Sequence, residues 1–113
     1  MNIEEIQARL AEFAKERDWE QFHSPKNLSM ALAGEVGELL EIFQWLTEEQ
    51  SRKSSLNEDQ LAAATEELAD VLIYALRLAD QLDIELEDAI AKKIDKNALR
   101  YTVEASRGSA AKR

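Results

Sequence analysis

Two stretches of this chain, one around residues 28–45 and one around 58–82, repeat apolar residues at the period of an α-helix, and each carries two acids three residues apart beside its apolar stripe. In the first, Leu28, Leu32, Val36, Leu39, Leu40 and Phe43 mark the stripe, with Glu35 and Glu38 at its edge. In the second, Leu68, Val71 and Ala75 mark it, and Glu67 and Asp70 have the same phase. A charge kept for solubility belongs opposite the apolar face, in water. These four do not, so two helices that pack their stripes together draw four carboxylates toward one place. The fold must therefore pair helices and offset that charge.

Helical patterning continues along the rest of the chain. Ile3, Ile6, Leu10 and Phe13 predict a first helix ending near Asp18, and residues 19–26, with Pro25, break it. A second helix is expected from a cap at Asn27 or Ser29 to about Trp45, with Gly34 and Gly37 either admitting another group closely or easing helix packing. A polar connection over residues 48–59 leads to a third helix over about 58–82, and residues 84–101 make a fourth. Three glycines and one proline are too few for a run of tight hairpins. The expectation is an all-α fold, a four-helix bundle-like protomer. Residues 1–103 form its domain, and residues 104–113 a basic, frayed tail. The third helix is also apolar on its far side, at Ala69, Leu72, Ile73 and Leu76. Four helices cannot enclose one of their own members, so a homodimer or a dimer of dimers, formed through helix faces, is expected.

Charge narrows the partners. Residues 1–91 hold seven basic and 21 acidic groups, whereas residues 92–113 hold seven basic and two acidic. An acidic body repels a nucleic-acid backbone and attracts a divalent cation, so nucleic acid is not expected as a partner. With no cysteine, a disulfide scaffold, a zinc ribbon and a thiol nucleophile are excluded. No apolar run approaches the roughly 20 residues of a membrane span, and the N-terminus lacks the layout of a signal peptide, so a cytoplasmic protein without a membrane partner is expected.

Acid pairs at this spacing recur at Glu38/Glu41, Asp80/Asp83 and Glu85/Asp88, and spacing alone makes any of them exposed helix surface. Only Glu35/Glu38 and Glu67/Asp70 lie among apolar neighbours, where uncompensated carboxylates would protonate or push the helices apart. Oxygen-only ligands favour Mg²⁺, with Mn²⁺ as a substitute. Glu20 and His23 have the Glu-x-x-His spacing of di-iron bundles, but those sites use two such motifs and this chain has one histidine. Trp19 and His23 in the break, with Trp45 and Tyr74 on the carboxylate side of their helices, either sandwich a nucleobase or are plain core. Lys93, Asn97, Arg100 and Tyr101 share one face of the fourth helix and either meet a phosphate chain or balance the acidic body.

Glu35-Val-Gly-Glu38-Leu and Glu67-Leu-Ala-Asp70-Val-Leu resemble the Glu-x-x-Glu and Glu-x-x-Asp signature of the MazG-like all-α nucleoside triphosphate pyrophosphohydrolases. Arg17 to His23, Pro25, Asn27-Leu28, Gly34 to Leu39 and Phe43-Gln44-Trp45 are similar to the dCTP pyrophosphatase branch, and the similarity runs from about Ile3 to Tyr101. The resemblance implies that Glu35, Glu38, Glu67 and Asp70 form the catalytic and metal-binding set and hold Mg²⁺. It implies hydrolysis of dCTP or related (deoxy)nucleoside triphosphates to monophosphate and pyrophosphate, a nucleotide-pool house-cleaning role. Trp19, His23, Trp45 and Tyr74 match positions around base or sugar, and Lys93, Asn97, Arg100 and Tyr101 match a phosphate-side motif. Leu10 stands where eukaryotic members carry a histidine, and Thr102 where a proline often follows the tyrosine. The competing class is a non-enzymatic acidic helical oligomer that binds a partner or cations.

Overall fold

Each helix starts at a residue whose side chain satisfies an otherwise orphaned backbone N–H. In the computed structural model, which describes residues 1–113, Asn2 opens α1 (Ile3–Glu16) by accepting from the Glu5 N–H at 2.9 Å. Ser24 opens α2 (Pro25–Phe43) by accepting from the Asn27 N–H at 3.2 Å. The helix thus starts earlier than the expected cap at Asn27 or Ser29, because proline is tolerated at a first helical position, where its missing N–H would have had no partner. Asn57 and Gln60 form a reciprocal capping box for α3 (Glu58–Gln81), at 2.8 and 3.0 Å. Glu85 caps α4 (Leu86–Arg100) through the Asp88 N–H at 3.2 Å, so this acid pair is a helix start and more than plain surface. Thr102 caps a short α5 (Val103–Ser106). There is no strand.

The end of α1 sets the position of an aromatic side chain. Asp18 takes a left-handed conformation, φ 54°, which aspartate tolerates better than most residues. The Trp19 N–H then reaches back to the Ala14 carbonyl at 2.9 Å and the Asp18 N–H to that of Lys15 at 3.1 Å, which is a Schellman motif. This closure ends the helix at Glu16, short of the expected Asp18. It also brings the Trp19 ring edge-on to Phe13, centroids 5.7 Å apart, the apolar contact that usually accompanies the motif.

The chain divides into two compact units, Met1–Leu82 and Asp83–Arg113. In the first, α2 and α3 pack along each other and α1 lies against α3, where the Gln7 carboxamide donates to the Leu76 carbonyl at 3.1 Å. Three helices, rather than the expected four, make this unit, and α4 belongs with α5 to the second. Ala14, Leu28 and Ala79 are fully enclosed, together with one cation, Arg77. Much apolar surface is left over: Leu40 of α2 is 57% exposed and Leu72 of α3 is 54% exposed. In the second unit the Arg113 guanidinium donates to the Ala105 carbonyl at 2.6 Å, so an ordered turn occupies the stretch expected to fray. No helix is long and apolar enough to cross a membrane.

Replacing Asn57 by Ala removes the arm of the α3 cap that accepts from the Gln60 N–H, leaves the Gln60 side chain on the backbone N–H of residue 57, and should cost about 1 kcal/mol, lowering Tm by a few degrees. Thermal denaturation followed by circular dichroism tests this, and an unchanged Tm would show that the cap contributes nothing.

Candidate functional site

The pairing of α2 with α3 brings together carboxylate oxygens of Glu35, Glu38 and Glu67, all within 4.8 Å of one another. Glu38 is exposed and the other two are half-buried. Asp70, one turn beyond Glu67, lies outside this tight group, but its charge reaches both Glu35 and Glu67. Burial, followed by the hydrogen bond and charge of Glu38, raises the pKa of Glu35. Glu67 is pushed up to about 7, first by a carboxyl–carboxyl hydrogen bond with Glu38, then by desolvation and the neighbouring charges. One oxygen each of Glu35 and Glu67, Oε2 in both, is buried without any hydrogen-bond partner. Orphaned carboxylate oxygens are expensive and rare. A hard divalent cation would satisfy them and offset most of the negative charge at once, so the donor set fits such an ion.

A cavity of about 490 Å³ adjoins the acids, since Glu35 and Asp70 also line its wall. Its apolar side comes from α1 through Ile6, Leu10 and Phe13. Trp19, set by the Schellman closure, and His23, which ends a 3₁₀ turn over Glu20–Phe22, enter it from the break between helices. The rings of Trp19 and His23 lie 6.4 Å apart and tilted, while Tyr74 and Arg77 of α3 complete the lining. Aromatic rings around a largely apolar space can hold a flat ring system by stacking.

Among the residues singled out from the sequence, Glu35, Glu38, Glu67, Asp70, Trp19, His23 and Tyr74 thus meet in or beside one site. Trp45 does not line the cavity. It lies beyond the end of α2 and is 87% exposed. Lys93, Asn97, Arg100 and Tyr101 stand on or at the end of α4, in the second unit, where the Tyr101 hydroxyl accepts from the Arg113 N–H at 3.1 Å and the Arg100 guanidinium lies 5.6 Å from the Tyr101 ring centroid. A methyl added at Gly34 or Gly37 would meet nothing within 4 Å, so neither glycine serves packing within this protomer. The sequence reading overlooked Arg77, a lone cation on the face of the third helix that carries Asp70 and Tyr74. That isolation was the available signal.

A family model described as the MazG-like family matches residues 31–112. This chain belongs to the MazG-like family. The match takes in α3, α4 and all four acids, and two of the relatives extend it toward the N-terminus. A dCTP pyrophosphatase 1 from Bos taurus is 50% identical over 110 residues, covering 97% of this chain and 65% of that protein. The human protein of the same name is 47% identical over the same length and with the same coverage, so this chain spans about two thirds of the length of the curated relatives it matches. The crystal structure of a pyrophosphatase from Archaeoglobus fulgidus superimposes with a TM-score of 0.80 at 41% identity, covering 88% of this chain and 91% of that one.

The raised pKa of Glu67 has a signed consequence for this MazG-like chain. A carboxyl that ionises near 4.5 unfolded and at about 7 folded keeps its proton longer in the folded state. Stability is then lost as pH rises from about 4.5 to about 7. In EDTA, Tm should fall across that window, and Mg²⁺ should restore it most at the upper end. Glu67→Gln should flatten the profile. A wild-type Tm independent of pH and of Mg²⁺ would contradict the site.

Proposed function

We propose that this chain hydrolyses nucleoside triphosphates at the α–β phosphoanhydride, releasing a monophosphate and pyrophosphate, with Mg²⁺ as its cofactor and Mn²⁺ as a substitute. The observation that carries the reading is the junction of two features at Glu35: its partnerless carboxylate oxygen, matched by that of Glu67, and the aromatic-lined cavity whose wall it shares with Asp70. The names of the relatives point the same way and favour dCTP or related deoxynucleotides as substrate.

In this reading Glu35, Glu38, Glu67 and Asp70 hold the cation. Once bound, Mg²⁺ supplies positive charge for the triphosphate and for the oxyanion that builds on the leaving pyrophosphate. Trp19 and Tyr74 flank the base, and His23 donates to it. Water attacks the α-phosphorus, and a carboxylate of the acid group accepts its proton; Glu38, exposed and hydrogen-bonded to Glu67, is suited to that role. Phosphate contacts are proposed for Lys93, Asn97, Arg100 and Tyr101 of the second unit, and a base or sugar contact for Trp45, which does not line the cavity. The catalytic domain extends over residues 1–103, and the enzyme acts in the cytoplasm as a nucleotide-pool house-cleaner.

A second copy of the chain covers the apolar surface that the protomer leaves open at Leu40 and Leu72, in a homodimer or a dimer of dimers. Sedimentation velocity at micromolar concentration should show at least a dimer. A compact 12.8 kDa species would remove this part of the reading.

Incubation with a panel of nucleotides and Mg²⁺ should yield pyrophosphate and monophosphate together. Orthophosphate would mean another cleavage, and no turnover of any nucleotide would favour the non-catalytic acidic oligomer. Asp70→Asn keeps the shape and removes a charge, so turnover should drop by about 100-fold or more. Its metal-free Tm should be no lower than that of wild type. Full activity in this variant would sink the assigned mechanism.

A further inference from the structure

Arg77 is a cation enclosed to 6% exposure, and no role in the proposed chemistry absorbs it. All three nitrogens of its guanidinium have partners within the protein. Nε donates to Nδ1 of His23 at 3.1 Å, and one terminal nitrogen reaches the Asp80 carboxylate at 3.3 Å. The Gln81 carboxamide oxygen, turned toward the guanidinium, accepts from both terminal nitrogens at 3.2 and 3.1 Å. A cation so paired has little left to offer a phosphate.

A guanidinium can only donate, so the atom that receives its Nε–H must hold a lone pair. On His23 that atom is Nδ1, and the imidazole proton is therefore confined to Nε2. We propose that Arg77 is a positioning residue that locks His23 as the neutral Nε2–H tautomer, giving the cavity one fixed donor and selecting bases that present an acceptor, a ring carbonyl oxygen or an unprotonated ring nitrogen, at that place. The electrostatics agree: burial first, then the Arg77 charge, lowers the pKa of His23 and keeps the ring neutral. Arg9 of α1, Glu35 of α2 and Asp70 of α3 are the other charged groups lining the cavity, and none of them makes a hydrogen bond to His23. An imidazole free to change tautomer would accept as readily as it donates and so would not discriminate between the two edges of a base. Arg77 also shares the cavity wall with Leu10.

The base-selection part rests on the nucleotide reading above; the tautomer does not. His23 is the sole histidine, so long-range ¹H–¹⁵N correlation of its imidazole in the uniformly labelled full chain is unambiguous. Without metal or nucleotide at pH 7, wild type should show the neutral Nε2–H form. An Nδ1–H form or an imidazolium overturns the proposal, whatever the enzyme assay gives. Arg77→Met should yield mixed tautomers. In the pyrophosphate-release assay it should raise KM for the nucleotide in inverse proportion to the Nε2–H fraction that remains, about twofold for an even mixture, with no matching fall in kcat. In a His23→Leu background, Arg77→Met should add no further change in KM. An equal rise there would show that Arg77 touches the substrate itself, and an unchanged tautomer in Arg77→Met would also refute the lock. Absence of turnover with an Nε2–H wild-type spectrum defeats the nucleotide reading and leaves the lock standing. Should Arg77→Met fail to fold, the wild-type spectrum and the milder Arg77→Lys, expected to lose the single tautomer while keeping the charge, decide the matter.

Discussion

The structure depends on a repulsion that it does not itself relieve. α2 and α3 must lie close to enclose Leu28, and the phase that buries their stripes also brings Glu35, Glu38 and Glu67 within 4.8 Å. Like charges at that distance in a partly dry site favour protonation or separation. The raised pKa values of Glu35 and Glu67 mark the pull toward the former. A buried carboxylate oxygen without a partner is a standing cost that only binding removes. In this sense the affinity proposed for a cation would be stored in the apolar packing of the helix pair, at the expense of stability without the cation.

The thinness of the core has the same origin. Only Ala14, Leu28 and Ala79 are fully enclosed among apolar residues, while Val36, Leu40, Leu68 and Leu72 on the paired helices stay about half exposed. A helix pair that reserves part of its contact face for carboxylates has less of it left for apolar burial. The open space around Gly34 and Gly37 adds to this, because a small residue that nothing approaches within the protomer has value only if something outside approaches it. The proposed second copy would supply both the missing burial and that neighbour.

Helix existence was readable from apolar period, and three of the four acids converge tightly because that period also fixes side-chain direction. What period cannot express was misplaced. The start of α2 depends on Ser24 followed by a proline that reads as a breaker, and the stop of α1 depends on the left-handed backbone of Asp18. The grouping of helices was also hidden, since α4 carries an amphipathic pattern of its own and a pattern does not say which unit it serves. Arg77 escaped for a further reason. Its partner His23 is far away in sequence, in a 3₁₀ turn where no regular spacing links the two. On a helix face already rich in charge, a single arginine reads as a counterion.

These differences follow a division within the site. The charged half stands on regular helices, whose spacing holds carboxylates at fixed separations. The aromatic half, to which base recognition is proposed to fall, stands on interruptions: the Schellman closure sets Trp19 against Phe13, and the 3₁₀ turn sets His23 against Arg77. Residues 17–24, and Leu10 on α1, lie outside α2 and α3, the two helices that carry Glu35, Glu38 and Glu67, so this part of the cavity wall and the acid group stand on different parts of the chain. On the proposed reading, the acid signature therefore carries the reaction class, while the preferred base would be decided in the part of the chain where helical periodicity stops.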